Sequence, residues 1–187
     1  MAKDVQRLIT TALRHKPELL DLHIDKSGYC SVEELVASLR RIGHKIDKNY
    51  IETVGKNERF SFNSDHSKIR ADYGNSLGLL LSNMYSDAEM PPDILYHGTS
   101  LDSLEGIKEK GIIRFANGKN KPRDHVFLTE STSVAKKKGA RHGCSVTLPI
   151  NAIKMYKEGY LFYHAKLDIW LTDHVPSEYI LFDYIIF

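Results

Sequence analysis

Val5, Leu8, Ile9, Ala12 and Leu13 recur at the spacing of one helix face, which predicts an amphipathic helix over residues 4–13. Pro17 stops it, because the residue before a proline is pushed away from helical angles. Lys26-Ser27-Gly28-Tyr29 reads as a turn. Ser31-Val32-Glu33-Glu34 has the form of a capping box, with Ser31 at the N-cap and Glu34 reaching back. Val32, Leu35, Val36, Leu39 and Ile42 then form an apolar stripe that Gly43 ends. A shorter helix is expected over residues 48–54. Arg59-Phe60-Ser61-Phe62 and Lys68-Ile69-Arg70-Ala71 each alternate at period two around Asn63-Ser64-Asp65-His66, so a β-hairpin follows the helices. Helices followed by a hairpin suggest, by fold analogy, a winged-helix lobe, an architecture that often binds nucleic acid.

Ser86 to Pro92 is polar and ends in two prolines, the best linker in the chain. Beyond it the pattern changes. Ile94-Leu95-Tyr96-His97 reads as a strand, and Ser100 caps a helix over residues 100–110 that Gly111 closes. A basic loop follows, with Lys119, Lys121 and Arg123 among Gly118, Asn120 and Pro122. Strands are expected at 125–128, 144–148, 160–164 and 179–187, and a helix capped by Thr132 runs to Lys138. The chain is therefore α+β, divided into residues 1–88 and a β-rich lobe of residues 93–187 with small helices.

Composition narrows this picture only slightly. Of 187 residues, 42% are hydrophobic and 27% charged, ordinary for a globular protein. The net charge of +2 neither requires nor excludes nucleic acid, so placement of charge matters more than its sum. Cys30 and Cys144 form no metal-binding pair, and two buried free thiols in a reducing compartment are expected. The N-terminus lacks a signal-type apolar core, and no run approaches the roughly 18 apolar residues of a membrane span. The expected location is the cytoplasm, with no membrane partner.

Three segments hold candidate chemistry. Arg14-His15 closes the first helix, where cations meet the helix dipole; the functional alternative is a phosphate grip, for which arginine's planar fork is suited. Lys68 and Arg70 share the polar face of the hairpin, and Gly74-Asn75-Ser76 follows as a turn whose amides can approach an anion. A solvent-facing Arg70 predicts that Arg70→Ala leaves the fold intact. His97-Gly98-Thr99 ends a strand, where glycine permits close backbone approach to an amide-bearing ring while histidine bonds a ribose hydroxyl. Ser131 and Ser133 are a helix cap or part of the same pocket.

Leu13-Arg14-His15-Lys16-Pro17, Ile69-Arg70-Ala71, Leu95-Tyr96-His97-Gly98-Thr99, His125-Val126-Phe127-Leu128 and Trp170-Leu171-Thr172-Asp173 occur in this order. The ordered set resembles the RNA 2′-phosphotransferase family, also called tRNA 2′-phosphotransferase, and covers nearly the whole chain. The resemblance implies an N-terminal winged-helix lobe and a C-terminal ADP-ribosyltransferase-like lobe. It also implies NAD consumed as co-substrate, no metal, and a partner RNA bearing an internal 2′-phosphate, tRNA from splicing being one candidate.

By the same resemblance, Arg14, His15 and Arg70 match catalytic residues. Arg123 is the choice for a further catalytic arginine, with Arg141 its competitor. His97, Gly98 and Thr99 would hold the nicotinamide-ribose end of NAD, with Ser131, Ser133 and Phe127 as neighbours. Lys68, Asn75 and Ser76 would contact the RNA substrate. Two positions depart from the family pattern: Asn75 replaces the histidine of Gly-His-Ser, and Phe127 stands where histidine is common. Two other functions compete with the reading. One is transfer of ADP-ribose to a nucleic-acid terminal phosphate or to protein. The other is a non-catalytic RNA-binding module, which the winged-helix lobe and the basic loop would suffice to build.

Overall fold

The computed structural model describes residues 2–57, 59–114, 123–140 and 143–187. It mixes helix and sheet and divides into two compact units, Met1–Met84 and Tyr85–Phe187.

In the first unit, helix α1 (Ala2–Arg14) buries Val5, Ile9, Ala12 and Leu13, the stripe its sequence foretells. The chain after Pro17 makes one 3₁₀ turn. Strand β1 (Tyr29–Ser31) follows the turn at Gly28, then α2 (Val32–Arg41) and α3 (Lys48–Gly55). The Ser31 hydroxyl accepts the Glu34 N–H at 3.3 Å, so half of the expected capping box forms. The other half does not: the Glu34 carboxylate accepts the His23 N–H at 2.6 Å instead, tying α2 to the incoming chain. Gly43, at φ +92°, closes α2 as its N–H returns to the Arg40 carbonyl.

Strands β2 (Phe60–Phe62) and β3 (Lys68–Ala71) form the expected hairpin, and β3 lies between β1 and β2 in an antiparallel sheet. A one-turn helix α4 (Leu81–Met84) ends the unit. The register sets Ile69 opposite Cys30 and Phe62, and Arg70 opposite Tyr29 and Ser61. Ile69 and Cys30 join the helical core, with Phe62 packed against it; Arg70 lies on the other face. Cys30 is buried and burial pushes its thiol up to about 12, so it packs as a hydrophobe. Cys144, expected to be buried, is exposed.

In the second unit, β4 (Ile94–Ser100) leads through a 3₁₀ turn into α5 (Leu104–Lys110) and β5 (Ile112–Ile113). There follow β6 (Val126–Thr129), α6 (Thr132–Gly139), β7 (Ser145–Asn151) and α7 (Ala152–Lys157), then β8 (Tyr163–Lys166), β9 (Ile169–Thr172) and β10 (His174–Val175). The main sheet runs β7-β4-β6-β9-β8, and β10 pairs with β5 apart from it. The core gathers Leu95, Leu128, Leu148, Ile150, Met155, Phe162 and Trp170.

The final strand expected over 179–187 is not one. Two 3₁₀ turns, Ser177–Tyr179 and Phe182–Tyr184, break it into isolated bridges, Ile180 to Ile150 and Ile186 to Thr147. The apolar run satisfies the core without a continuous ladder. Residues 115–122 of the basic loop, Lys119 and Lys121 among them, lie outside the described residues, as does Arg141. No described helix is long and apolar enough to cross a membrane.

Candidate functional site

The first unit folds one turn, residues 72–76, back onto the end of α1. The Ser76 N–H donates to the Arg14 carbonyl at 2.9 Å, satisfying an acceptor that a helix end leaves open. The Ser76 hydroxyl shares a 2.8 Å hydrogen bond with His15 Nδ1. The Arg14 guanidinium lies 5.0 Å over the Tyr73 ring, whose face attracts the cation. Gly74 adopts φ +77°, which glycine reaches without strain, and a Cβ there would sit 3.6 Å from the Arg14 guanidinium carbon. Three expected residues, Arg14, His15 and Ser76, are thus joined by bonds within one unit. Tyr73 is a fourth that the sequence did not mark.

Arg70 corrects an expectation. It is 8% exposed rather than solvent-facing, because Tyr29 covers its guanidinium at 4.8 Å and other acceptors enclose it. Its Nε donates to Asp72 Oδ1 at 3.2 Å, and its Nη1 donates to the Ser27 carbonyl at 3.4 Å and to the Met84 carbonyl. The strand's period put Lys68 and Arg70 on one face correctly, but only Lys68 stays exposed, paired with Asp25 at 3.2 Å. Asn75 is also buried. Its Nδ2 donates to the Ala71 carbonyl at 3.1 Å, an acceptor that fixes which way the amide faces, and Oδ1 has no partner among the described residues.

In the second unit, β4 pairs with β7 at every position from Ile94 to Ser100, yet meets β6 only at Tyr96↔Thr129. Past Tyr96 the ladder to β6 lapses, and the His97 side chain enters there. Its Nδ1 bonds the Phe127 carbonyl at 2.9 Å. A carbonyl only accepts, so Nδ1 carries the proton, and neutral His97 presents Nε2 as an acceptor. Burial holds the His97 pKa below its ordinary value; the bond to Phe127 opposes this and the charge of Lys138 adds to it.

Lys138 Nζ lies 2.9 Å over the Phe127 ring, whose face attracts the ammonium. Gly98 serves a purpose not foreseen: a Cβ there would lie 1.7 Å from the Ala135 carbonyl oxygen, so glycine lets α6 rest on β4. Gly139 answers it, since its own Cβ would meet the Thr99 carbonyl oxygen at 2.6 Å. Thr99 sits in the ladder opposite Val146.

Ser131, not Thr132, caps α6, accepting the Val134 N–H at 3.3 Å and bonding Ser133 at 3.0 Å. Arg123 is exposed, its N–H donating to the Arg114 carbonyl at 2.9 Å; partial desolvation draws its pKa down and Asp124 opposes that. The Trp170-Leu171-Thr172-Asp173 segment is structural here. Trp170 donates to Glu130 at 2.9 Å, Thr172 to the Leu161 carbonyl at 2.9 Å, and Asp173 pairs with Arg114 at 3.2 Å.

One unit therefore carries an arginine-histidine cradle of the kind that suits a phosphate, and the other a strand-borne neutral histidine beside a lapsed ladder. A family model described as "RNA 2'-phosphotransferase, Tpt1 / KptA family" matches residues 2–174, and the chain belongs to that family. A protein of Fusobacterium nucleatum named "Probable RNA 2'-phosphotransferase" is 39% identical over 97% of this chain and 100% of its own length. Proteins of the same name from Flavobacterium johnsoniae and Acaryochloris marina are 34% and 35% identical, covering 97% and 95% of this chain and 97% and 94% of their own lengths.

Proposed function

We propose that the chain is an NAD-dependent RNA 2′-phosphotransferase, with a winged-helix first lobe that grips the RNA 2′-phosphate and an ADP-ribosyltransferase-like second lobe that holds NAD. The observation that carries the reading is that Ser76 bonds both the His15 ring and the Arg14 backbone carbonyl, while the Arg14 guanidinium lies over Tyr73 of the same turn, in a chain belonging to this family. In the first step an oxygen of the RNA 2′-phosphate attacks C1″ of the NAD ribose and nicotinamide leaves. In the second, O2″ of that ribose attacks phosphorus and gives up its proton. The RNA oxygen departs and takes a proton, leaving a 2′-hydroxyl and ADP-ribose 1″,2″-cyclic phosphate.

A phosphate is already anionic, so the first step asks for positioning rather than deprotonation. Arg14 and Arg70, with Arg123, stabilise the charge that builds on phosphorus in the second step. His15, tied to Ser76, supplies a hydrogen bond or a proton route there. Neutral His97 accepts from a ribose hydroxyl through Nε2, which suits a sugar donor and requires no metal. Asn75 is buried and supports the turn, so the reading leaves direct contact with RNA to Ser76 and Lys68.

The test is incubation of the protein with RNA bearing one internal 2′-phosphate, with and without NAD, and mass analysis of products. NAD-dependent loss of phosphate together with the cyclic product is the expected result. Turnover without NAD, or binding alone, overturns it. In the same assay Arg123→Ala and Arg141→Ala identify the last arginine, and His97→Ala raises the KM for NAD while RNA affinity stays near wild type.

The lowered pKa of His97 gives a signed pH prediction. The folded protein keeps this imidazole neutral at pH values where the unfolded chain, near 6.5, takes up a proton. Its contribution to stability is complete above that value and declines as pH falls below it. NAD use should weaken only at lower pH, where the imidazole of the folded protein itself takes up a proton and Nε2 no longer accepts. Lys138→Met removes one depressing charge, so the acid limb of kcat/KM for NAD should move to higher pH. A limb that stays in place would remove Lys138 from the electrostatics of His97.

A further inference from the structure

Asp72 is fully buried, two residues after Arg70 and on the same face of the chain. Both of its oxygens are engaged: Oδ1 accepts from Arg70 Nε at 3.2 Å, and Oδ2 accepts the Ser61 hydroxyl at 2.7 Å. Ser61 lies directly opposite Arg70 on β2, so the carboxylate is fixed from the neighbouring strand. The Asp72 N–H is itself tied to the Arg59 carbonyl at 3.0 Å. A tenth of the Arg70 side chain stays exposed against a hundredth of Asp72, so the arginine can reach a ligand that the aspartate cannot.

We infer that Asp72 is a positioning residue for phosphate transfer, its buried carboxylate setting the plane of the Arg70 guanidinium and balancing its charge until a phosphate arrives. The inference rests on the reading of Arg70 as a phosphate-gripping arginine. Two physical points carry it. A buried ion pair is a weak source of stability, since well-packed apolar groups of similar volume serve a core as well or better. What the pair supplies instead is orientation: a guanidinium grips phosphate through a planar fork, and the fork is useful only when its plane is held. Tyr29 below the plane and the carbonyls of Ser27 and Met84 at Nη1 complete the frame. Asp72 is the charged member of that frame and the one that Ser61 anchors.

The experiment is single-turnover kinetics on 2′-phosphorylated RNA with excess NAD, counting ADP-ribosylated RNA and 2′-hydroxyl RNA separately, each variant well below its unfolding temperature. Arg70→Lys keeps the charge and loses the fork. It should slow the second step and accumulate ADP-ribosylated RNA. Asp72→Asn keeps the shape but not the charge, and its amide can accept through one oxygen only, so the bond to Ser61 must reverse if that to Arg70 is kept. It should accumulate the same species, with the second step slowed roughly 10- to 100-fold, the scale of a misplaced group. The double variant should be no slower than Arg70→Lys alone, because Asp72 acts through Arg70. A merely structural role would lower the active fraction and leave the ratio of the two RNA species unchanged.

Normal turnover by Arg70→Lys overturns the reading of Arg70 itself. An impaired Arg70→Lys beside an Asp72→Asn variant of wild-type product ratio, or effects that multiply in the double variant, overturns the role of Asp72 alone. Should Asp72→Asn not fold, Ser61→Ala carries the test. It removes the hydroxyl bonded to Oδ2 and should shift the ratio the same way by a smaller factor; an unchanged ratio sinks the inference.

Discussion

Arg70→Ala should lower the unfolding free energy of the first unit by about 3–5 kcal/mol, the scale for removing one partner of a buried ion pair. The cause is Asp72. With the guanidinium gone, a fully buried carboxylate keeps the Ser61 hydroxyl but loses the cation bonded to Oδ1. The Ser27 and Met84 carbonyls lose a donor as well. The pattern of the strand predicted the opposite, a surface substitution of small effect. Urea denaturation of three proteins separates the two accounts: wild type, Arg70→Ala, and Arg70→Met with Asp72→Leu. Removing both charges should recover most of the loss, since an apolar pair leaves no buried ion behind. A single variant within 0.5 kcal/mol of wild type, the range of an ordinary surface change, would mean that Asp72 is not a buried charge in solution. The consequence for enzymology is direct. Loss of activity in Arg70→Ala mixes unfolding with lost chemistry, and Arg70→Lys is the variant that isolates the chemistry.

The elements that the sequence made legible are those whose own periodicity decides them. The face of α1, the stripe of α2 and the β2–β3 hairpin each bury residues repeating at their own period, so a local pattern suffices. The same rule found Lys68 and Arg70 together, then failed on burial, because what covers Arg70 comes from far along the chain: Ser27, Tyr29 and Met84. Asp72 was within reach of the period-two argument, lying two residues from Arg70, but a carboxylate beside an arginine reads as an ordinary surface pair until its burial is known. Tyr73 and Lys138 gave no local signal; a ring under Arg14 and an ammonium over Phe127 are tertiary facts. The segment after Tyr179 misled for a different reason. It is apolar enough for a strand, but its edge is used in single bridges broken by 3₁₀ turns, a choice made by the sheet it joins.

Gly98→Ala should be among the most damaging single-methyl changes in the second unit. The added Cβ would stand 1.7 Å from the Ala135 carbonyl oxygen and within 3.0 Å of the Gly139 nitrogen, both backbone atoms of α6 that no rotamer can move aside. Either β4 or α6 must shift, at a cost of about 3 kcal/mol, the upper part of the usual range for overpacking. The adjoining His97 moves with the strand, and its bond to the Phe127 carbonyl moves with it. Turnover with NAD should therefore fall on the order of 10²-fold in the protein that remains folded, as for a reacting group displaced by about an ångström. Gly106→Ala is the control, because that glycine lies within α5 with no atom of the described residues, beyond its own helix backbone, within 4 Å of its Cβ position. There the added methyl should stabilise by roughly 0.5–1 kcal/mol, through helix propensity, and leave turnover unchanged. Thermal unfolding with single-turnover assays on both variants decides the matter. If Gly98→Ala matched Gly106→Ala in stability and rate, α6 would not rest against β4 as closely as the geometry requires. The glycine would then revert to the role its sequence first suggested, an opening for backbone contact with the ring of a bound ligand.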